Sequence, residues 1–179
     1  MTNYDETKFE EDYFKGRRFE DKTYYMVQQW LAKTKPTTAY DYGCGEGFVV
    51  HACNYLGVEC HGFDISKYAT SHAYGMSAGK IGTNCANSQY DLVMCLDVME
   101  HLDINKEQEI LDKLAQLSKK WLLLSICDTL LSKRYIDKTH INIKPRAYWR
   151  HQLEWRGFKQ VEIPSDWLFG EQLYLYEKK

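Results

Sequence analysis

"DYGCGEG", residues 41–47, decides the fold. It sets three glycines in five positions, directly after an aspartate and between two apolar runs. Glycine weakens regular structure, so such a cluster serves a backbone that something must approach closely. Upstream, "TTAYDYG" reads as a buried strand ending at Gly43. Downstream, "GFVVHACNYLG" reads as a helix that Gly57 stops. A strand, a glycine turn and a helix in that order open a unit of the parallel α/β kind.

Working outward, the alternation continues. "VECHGFDIS" reads as a second strand ending near Asp64, and "KYATSHAYGMS" as a helix. "GKIGTNC" holds a short third strand, and "YDLVMCLD" is an apolar run of the kind parallel sheets bury on both faces. "NKEQEILDKLAQLSKK" carries Ile110, Leu111, Leu114 and Leu117 on one helical face, with Asn105 as the expected N-cap. "WLLLSICD" is another buried strand. "PRAYWRHQLEWRGF" reads as a helix with Pro145 in its first turn and Gly157 just past its end. "QVEIP" and "EQLYLYEKK" close the chain as strands without a helix between them, so they are expected to pair as an antiparallel hairpin at the sheet edge. Before the first strand, residues 21–34 have helical spacing at Tyr24, Val27, Trp30 and Leu31. The expected architecture is a single Rossmann-like α/β domain over 1–179. A mostly parallel seven-stranded sheet in 36–179 has helices on both faces, and 1–35 form an added N-terminal helical piece, read either as a lid or as an amphipathic surface helix.

Composition narrows the function. A 179-residue chain is large enough for one core without staples. A formal net charge of −2 gives no broad basic field for a nucleic-acid backbone. The opening "MTNYDETKFEEDYF" is acidic and polar, without a secretory leader, and the six cysteines show no C-x-x-C spacing; reduced thiols in a cytoplasmic protein are expected. The wholly apolar runs, such as "WLLL" at 121–124, are far too short to enter a bilayer as a span.

The glycine spacing is G-x-G-x-G, whereas a dinucleotide fingerprint is G-x-G-x-x-G with a pyrophosphate at the helix. Asp41 before the loop and Glu46 inside it favour a cationic ligand over a pyrophosphate. Asp64 ends the second strand 21 residues after Gly43, where a carboxylate accepts both hydroxyls of a ribose. Together these point to an adenosine-type ligand that carries an ammonium and a sulfonium. Asp41 either meets that ligand or braces the glycines.

At this point the chain resembles the class I S-adenosylmethionine-dependent methyltransferases. "DYGCGEG" is similar to their first motif and "GFDIS" to their second. "YDLVMCLDVMEHL" resembles their fourth-strand motif, whose "EHL" ending is common among small-molecule methyltransferases. "HINIKPRAYWRHQLEWRGF" is similar to a late segment. The likeness spans roughly residues 9–178. It implies S-adenosyl-L-methionine as cofactor, S-adenosyl-L-homocysteine as product and a small-molecule methyl acceptor. The implied cofactor contacts are Asp41, Tyr42, Gly43, Cys44, Gly45 and Gly47 in the loop, and Asp64 with Ile65 after the second strand. Cys95, Leu96 and Asp97 follow at the end of the fourth. The lid adds Tyr13 and Arg18, with Phe14 and Arg17 as neighbours. The acid that family members often place after strand three is missing; Asn84 stands there as the adenine contact, or as an ordinary surface residue.

Methyl transfer needs alignment and dehydration, and a base when the acceptor is a hydroxyl or ammonium. Glu100, His101 and His140 are the candidates, each also fit for a structural role, with His140 favoured because its loop can overhang the acceptor. Glu100 and His101 are adjacent, so on a helix they are expected to diverge. No metal is expected, since no histidine pair has H-x-x-x-H or H-E-x-x-H spacing and no carboxylate set stands out. Two other readings compete: methylation of nucleic acid or protein, against which the base-methylation [DN]-P-P-[YFW] signature is missing, and a binding module that no longer transfers methyl groups.

Overall fold

A computed structural model describes residues 9–127 and 139–179. Among them, seven strands form one sheet: β1 Thr38–Tyr42, β2 Glu59–Phe63, β3 Ile81–Gly82, β4 Tyr90–Leu96, β5 Ser118–Ser125, β6 Phe158–Val161 and β7 Leu173–Lys178. Their order is β3-β2-β1-β4-β5-β7-β6. The first five run parallel, while β7 is antiparallel to both β5 and β6. The closing pair therefore lies at the edge as expected, but the antiparallel strand is one place in and β6 forms the rim.

Period-two alternation decides which residue faces which layer. Val93 and Cys95 of β4, with Leu122 and Leu124 of β5, pack with Leu111, Leu114 and Leu117 of α5 (Glu107–Leu117) and with Trp149 and Leu153 of α6 (Arg146–Trp155). Leu92, Met94, Trp121 and Leu123 point the other way, into a cluster with Val27 and Trp30 of α2 (Lys22–Thr34) and Val50, Ala52 and Cys53 of α3 (Phe48–Tyr55). Both faces of the central strands are thus covered, which is why "LVMC" is an unbroken apolar run; Leu92 to Cys95 are all fully buried.

Local boundaries shift for identifiable reasons. The N-cap of α5 is Lys106 rather than Asn105, because Asp103 takes hydrogen bonds from both the backbone and side-chain nitrogens of Asn105. Pro145 caps α6 from outside instead of opening its first turn. The "KYATSHAYGMS" helix stops after α4 (Lys67–Ser71) and resumes as a 3-10 turn at Gly75–Ser77, where Gly75 sits against the His51 ring. α5 runs straight into β5, its end closed by Ser118 Oγ donating to Leu114 O. Residues 1–8 of the expected lid lie outside the described residues; from residue 9 on, the α-helix α1 (Glu11–Phe14) precedes α2.

β1 lies between β2 and β4, so the chain order reverses at its carboxyl end. In open α/β sheets that reversal opens a crevice where ligands bind. Residues 41–47 sit there.

Candidate active site

The loop leaves β1 in a conformation only glycine takes easily. Gly43, Gly45 and Gly47 have φ of 83°, 53° and 80°. Space is short as well: a Cβ on Gly43 would lie 2.3 Å from Val98 Cγ2, and one on Gly47 2.6 Å from Ser77 Oγ. The Gly43 and Cys44 amides donate to Phe63 O at 2.7 and 2.9 Å, which ties the loop to the end of β2.

The two aspartates have different tasks. Asp64 Oδ2 accepts from Gly45 N at 2.7 Å and Oδ1 from Ser66 N at 2.8 Å. It therefore braces the loop, the role expected as one option for Asp41. Burial raises its pKa, and the two backbone amides and Arg17 oppose that rise. Asp41 is 3% exposed, and its Oδ1 has no hydrogen-bond partner among the described residues. Burial, then the Asp64 charge, pushes its pKa up to about 7. A buried carboxylate with an open lone pair is costly on its own and gains by meeting a cation.

These groups line a cavity of about 770 Å³, within the size range of small-molecule sites. Asp41, Tyr42, Gly43, Cys44, Gly45, Asp64, Ile65, Leu96, Asp97 and Tyr13 are on its wall, together with Glu100, His101 and His140. Gly47 is behind the wall as the N-cap of α3. Cys95 is fully buried on the α5–α6 side of the sheet, because its position in β4 has the opposite facing to the loop. Asn84 is exposed and off the wall, and so is Arg18; its neighbour Arg17 is the lining cation, 4.3 Å from the Tyr13 ring centroid. Phe9, Phe14, Phe48, Phe63 and Val98 also line the cavity without having been singled out as contacts beyond Phe14. For Phe48 and Val98 the only local signal was adjacency to a motif.

After β4 the backbone takes a left-handed step at Asp97, φ 54°. A non-glycine residue there stores strain on the order of 1 kcal/mol. Asp97 N–H donates to Ser125 O at 2.9 Å, and Ser125 Oγ donates to Asp97 Oδ1, so the end of β5 holds the step in place. A 3-10 turn, Met99–His101, follows.

That turn is clamped by a distant loop. Ile141 N and Asn142 N both donate to Glu100 O at 2.9 Å, and Asn142 Nδ2 donates to Met99 O at 3.1 Å. Glu100 is 1% exposed, and its Oε1 accepts from Cys127 N at 3.0 Å. His101 Nδ1 is 3.2 Å from Thr139 O and 2.9 Å from Thr139 Oγ1. The His101 and His140 rings meet edge to face at 4.7 Å. One ligand atom from each of Glu100, His101 and His140 lies within 4.8 Å of the others. The expectation that Glu100 and His101 diverge is overturned: the element is a single 3-10 turn, and Cys127 and Thr139 draw the two side chains to one side.

The N-terminal segment closes over this wall. Phe9 and Tyr13 pack against the His101 ring at 5.7 and 6.3 Å, and Phe14 stacks on Tyr68 at 6.2 Å.

Comparison with known proteins agrees with this fold. Among solved structures, a similar one is magnesium protoporphyrin IX methyltransferase (ChlM) from Synechocystis PCC 6803 with bound SAM. It matches with a TM-score of 0.67 and 19% identity, covering 93% of this chain and 89% of that one. A SAM-dependent methyltransferase from Archaeoglobus fulgidus gives 0.69 and 20% over 94% and 97%. CalS10, an amino pentose methyltransferase from Micromonospora echinaspora, gives 0.69 and 12% over 94% of each chain. Comparison with curated proteins returned no match. These identities speak for the fold alone. The family whose description is "Methyltransferase domain" matches residues 17–163, from the N-terminal segment through the glycine loop and the clamped turn to β6, and this chain belongs to it.

Proposed function

We propose that this methyltransferase domain uses S-adenosyl-L-methionine to methylate an oxygen or nitrogen of a small metabolite. The observation that carries the reading is one cavity walled both by the glycine loop with its two aspartates and by the Glu100–His101–His140 cluster. The residues present fit the cofactor. Asp41 offers a buried, open carboxylate oxygen to an ammonium. Asp64 uses one lone pair of each oxygen on backbone amides and keeps the others for ribose hydroxyls. When bound, the cofactor supplies an electrophilic methyl carbon, to which the acceptor's lone pair bonds as the carbon–sulfur bond breaks and sulfur keeps the pair.

The chain's own residues align and dehydrate. Phe9, Tyr13 and Phe14 cover the cavity and exclude water, so the described part of the N-terminal segment, residues 9–35, acts as a lid. The proton of a hydroxyl or ammonium acceptor is handled at the Glu100–His101–His140 cluster. A small acceptor fits the cavity volume, and both ChlM and CalS10 are described by small-molecule substrates. Among the described residues no helix is long and apolar enough to cross a membrane. Free thiols at Cys44, Cys53, Cys60, Cys85 and Cys95 fit a reducing, cytoplasmic setting.

The test is thermal unfolding with S-adenosylhomocysteine, S-adenosylmethionine, NAD and ATP, each at about a hundredfold excess over a micromolar dissociation constant. The sulfur nucleosides should add about 2.7 kcal/mol, several degrees in Tm, and the other two nothing. A shift with NAD alone, or with none, sinks the reading.

A further inference from the structure

We propose that Glu100, His101 and His140 form a binding site for one divalent transition-metal ion, of the Zn²⁺ or Mn²⁺ class, open toward the cavity. Three observations carry it. The first is convergence: one ligand atom from each residue already lies within 4.8 Å of the others. A cation held at about 2.1 Å from each would draw adjacent ligands in to roughly 3.0–3.4 Å. The second is pre-organisation. His101 Nδ1 lies 3.2 Å from Thr139 O and 2.9 Å from Thr139 Oγ1, and these contacts fix the orientation of the ring. Metal-binding imidazoles are oriented in this way, by a backbone carbonyl on the other nitrogen. Glu100 Oε1 is fixed by Cys127 N, and the Ile141 and Asn142 amides lock the His140 loop onto the Glu100 carbonyl. The third is placement: all three residues are on the wall of the cavity.

The donor set selects the metal class. Two imidazoles and one carboxylate suit Zn²⁺, Mn²⁺, Co²⁺ or Fe²⁺, whereas Mg²⁺ and Ca²⁺ prefer all-oxygen ligands. Three protein ligands leave at least one position open, as metal sites that act on substrates do. The role of that position rests on the function proposed above: an acceptor hydroxyl that coordinates there loses its proton near neutral pH to bulk solvent before the lid closes, because the ion's charge stabilises the alkoxide. The imidazoles then serve as ligands, and the ion rather than His140 acidifies the acceptor. An acceptor bearing adjacent oxygens, able to chelate, is the substrate class this arrangement favours.

The experiment uses the full chain, stripped with chelator and titrated with Mn²⁺ under electron paramagnetic resonance, then displaced with Zn²⁺. We expect one ion per chain at micromolar affinity or better. His101→Ala and His140→Ala should each weaken it at least tenfold, and Glu100→Gln similarly. Circular dichroism and the S-adenosylhomocysteine thermal shift establish that each variant is folded; His140→Ala, on a partly exposed loop, decides the case if Glu100→Gln does not fold. Asp64→Asn should keep the ion and lose the nucleoside. No stoichiometric binding, preference for Mg²⁺, or binding unchanged in the His101→Ala/His140→Ala double variant overturns the site. Metal binding without a nucleoside shift would leave the site standing and sink the cofactor reading; a nucleoside shift without metal binding would do the reverse.

Discussion

The two walls of the cavity are built in opposite ways. One is a continuous stretch of seven residues whose backbone conformation is dictated locally: three glycines with positive φ, one of them pressed against Val98. The other joins the Met99–His101 turn, the end of β5 near Ser125 and Cys127, and the loop at 139–142. The first wall depends on what each residue is, the second on what it meets. Substitutions in the loop should therefore act through backbone strain and binding, and those in the cluster through chemistry with the fold intact.

The largest effect is expected from Gly43→Val. It adds a branched side chain at φ 83° into a gap of 2.3 Å, so it should cost about 3–5 kcal/mol of stability and all nucleoside-dependent thermal shift. Chemical denaturation with and without S-adenosylhomocysteine checks both; a stable variant that still binds would break the contrast. Next, His140→Ala should lower kcat by about 10²–10³ while changing Tm by little, since it removes one member of the Glu100–His101–His140 cluster at which the acceptor's proton is handled. A loss seen only in nucleoside affinity would mean that the two walls are not functionally separate.

Asp41→Asn should weaken the sulfur nucleosides by about 10–100-fold, by removing the partner for their ammonium. The same change should stabilise the ligand-free protein at alkaline pH. The Asp41 carboxyl titrates near 3.8 when unfolded and at about 7 when folded. Below the lower value it has no effect on folding. As pH rises between the two, the unfolded state releases its proton first and folding is penalised; above about 7 the penalty is complete, on the order of 2–4 kcal/mol. Melting curves at pH 5 and pH 8.5 should show the variant gaining more on the parent at the higher pH. Equal gains at both would remove Asp41 as the source. By the same linkage, nucleoside affinity of the parent should rise several-fold between pH 6 and 8.

The smallest effect belongs to the lid. Arg17→Ala removes a partly screened cation over the Tyr13 ring and beside Asp64, and should raise KM for the cofactor only about two- to fivefold. An effect as large as that of Asp41→Asn would make the lid a third wall in its own right.

How much was legible follows the same division. The strands, their order of appearance, α2, α3, α5 and α6, and the glycine loop all came from neighbours within a few residues of one another. Turn chemistry, period-two burial and helical spacing are short-range constraints that the sequence carries openly. Asp41, Gly43 and Asp64 were placed on the cavity by that route, and Tyr42 by the family resemblance. Cys95 was misplaced off it because facing depends on the register of β4, and Asn84 because its loop runs outward.

By itself, then, the amino-acid sequence determined the parallel α/β architecture and the position of the ligand loop at the end of β1. Only the tertiary structure decided that β7 slips between β5 and β6, that Asp41 is buried with an open oxygen while Asp64 braces the loop, and that His101 meets a loop 38 positions away. The reason is physical: local patterns reflect which backbone angles and faces a residue prefers. A meeting across 38 positions reflects loop closure and packing of the whole chain, which no local spacing encodes.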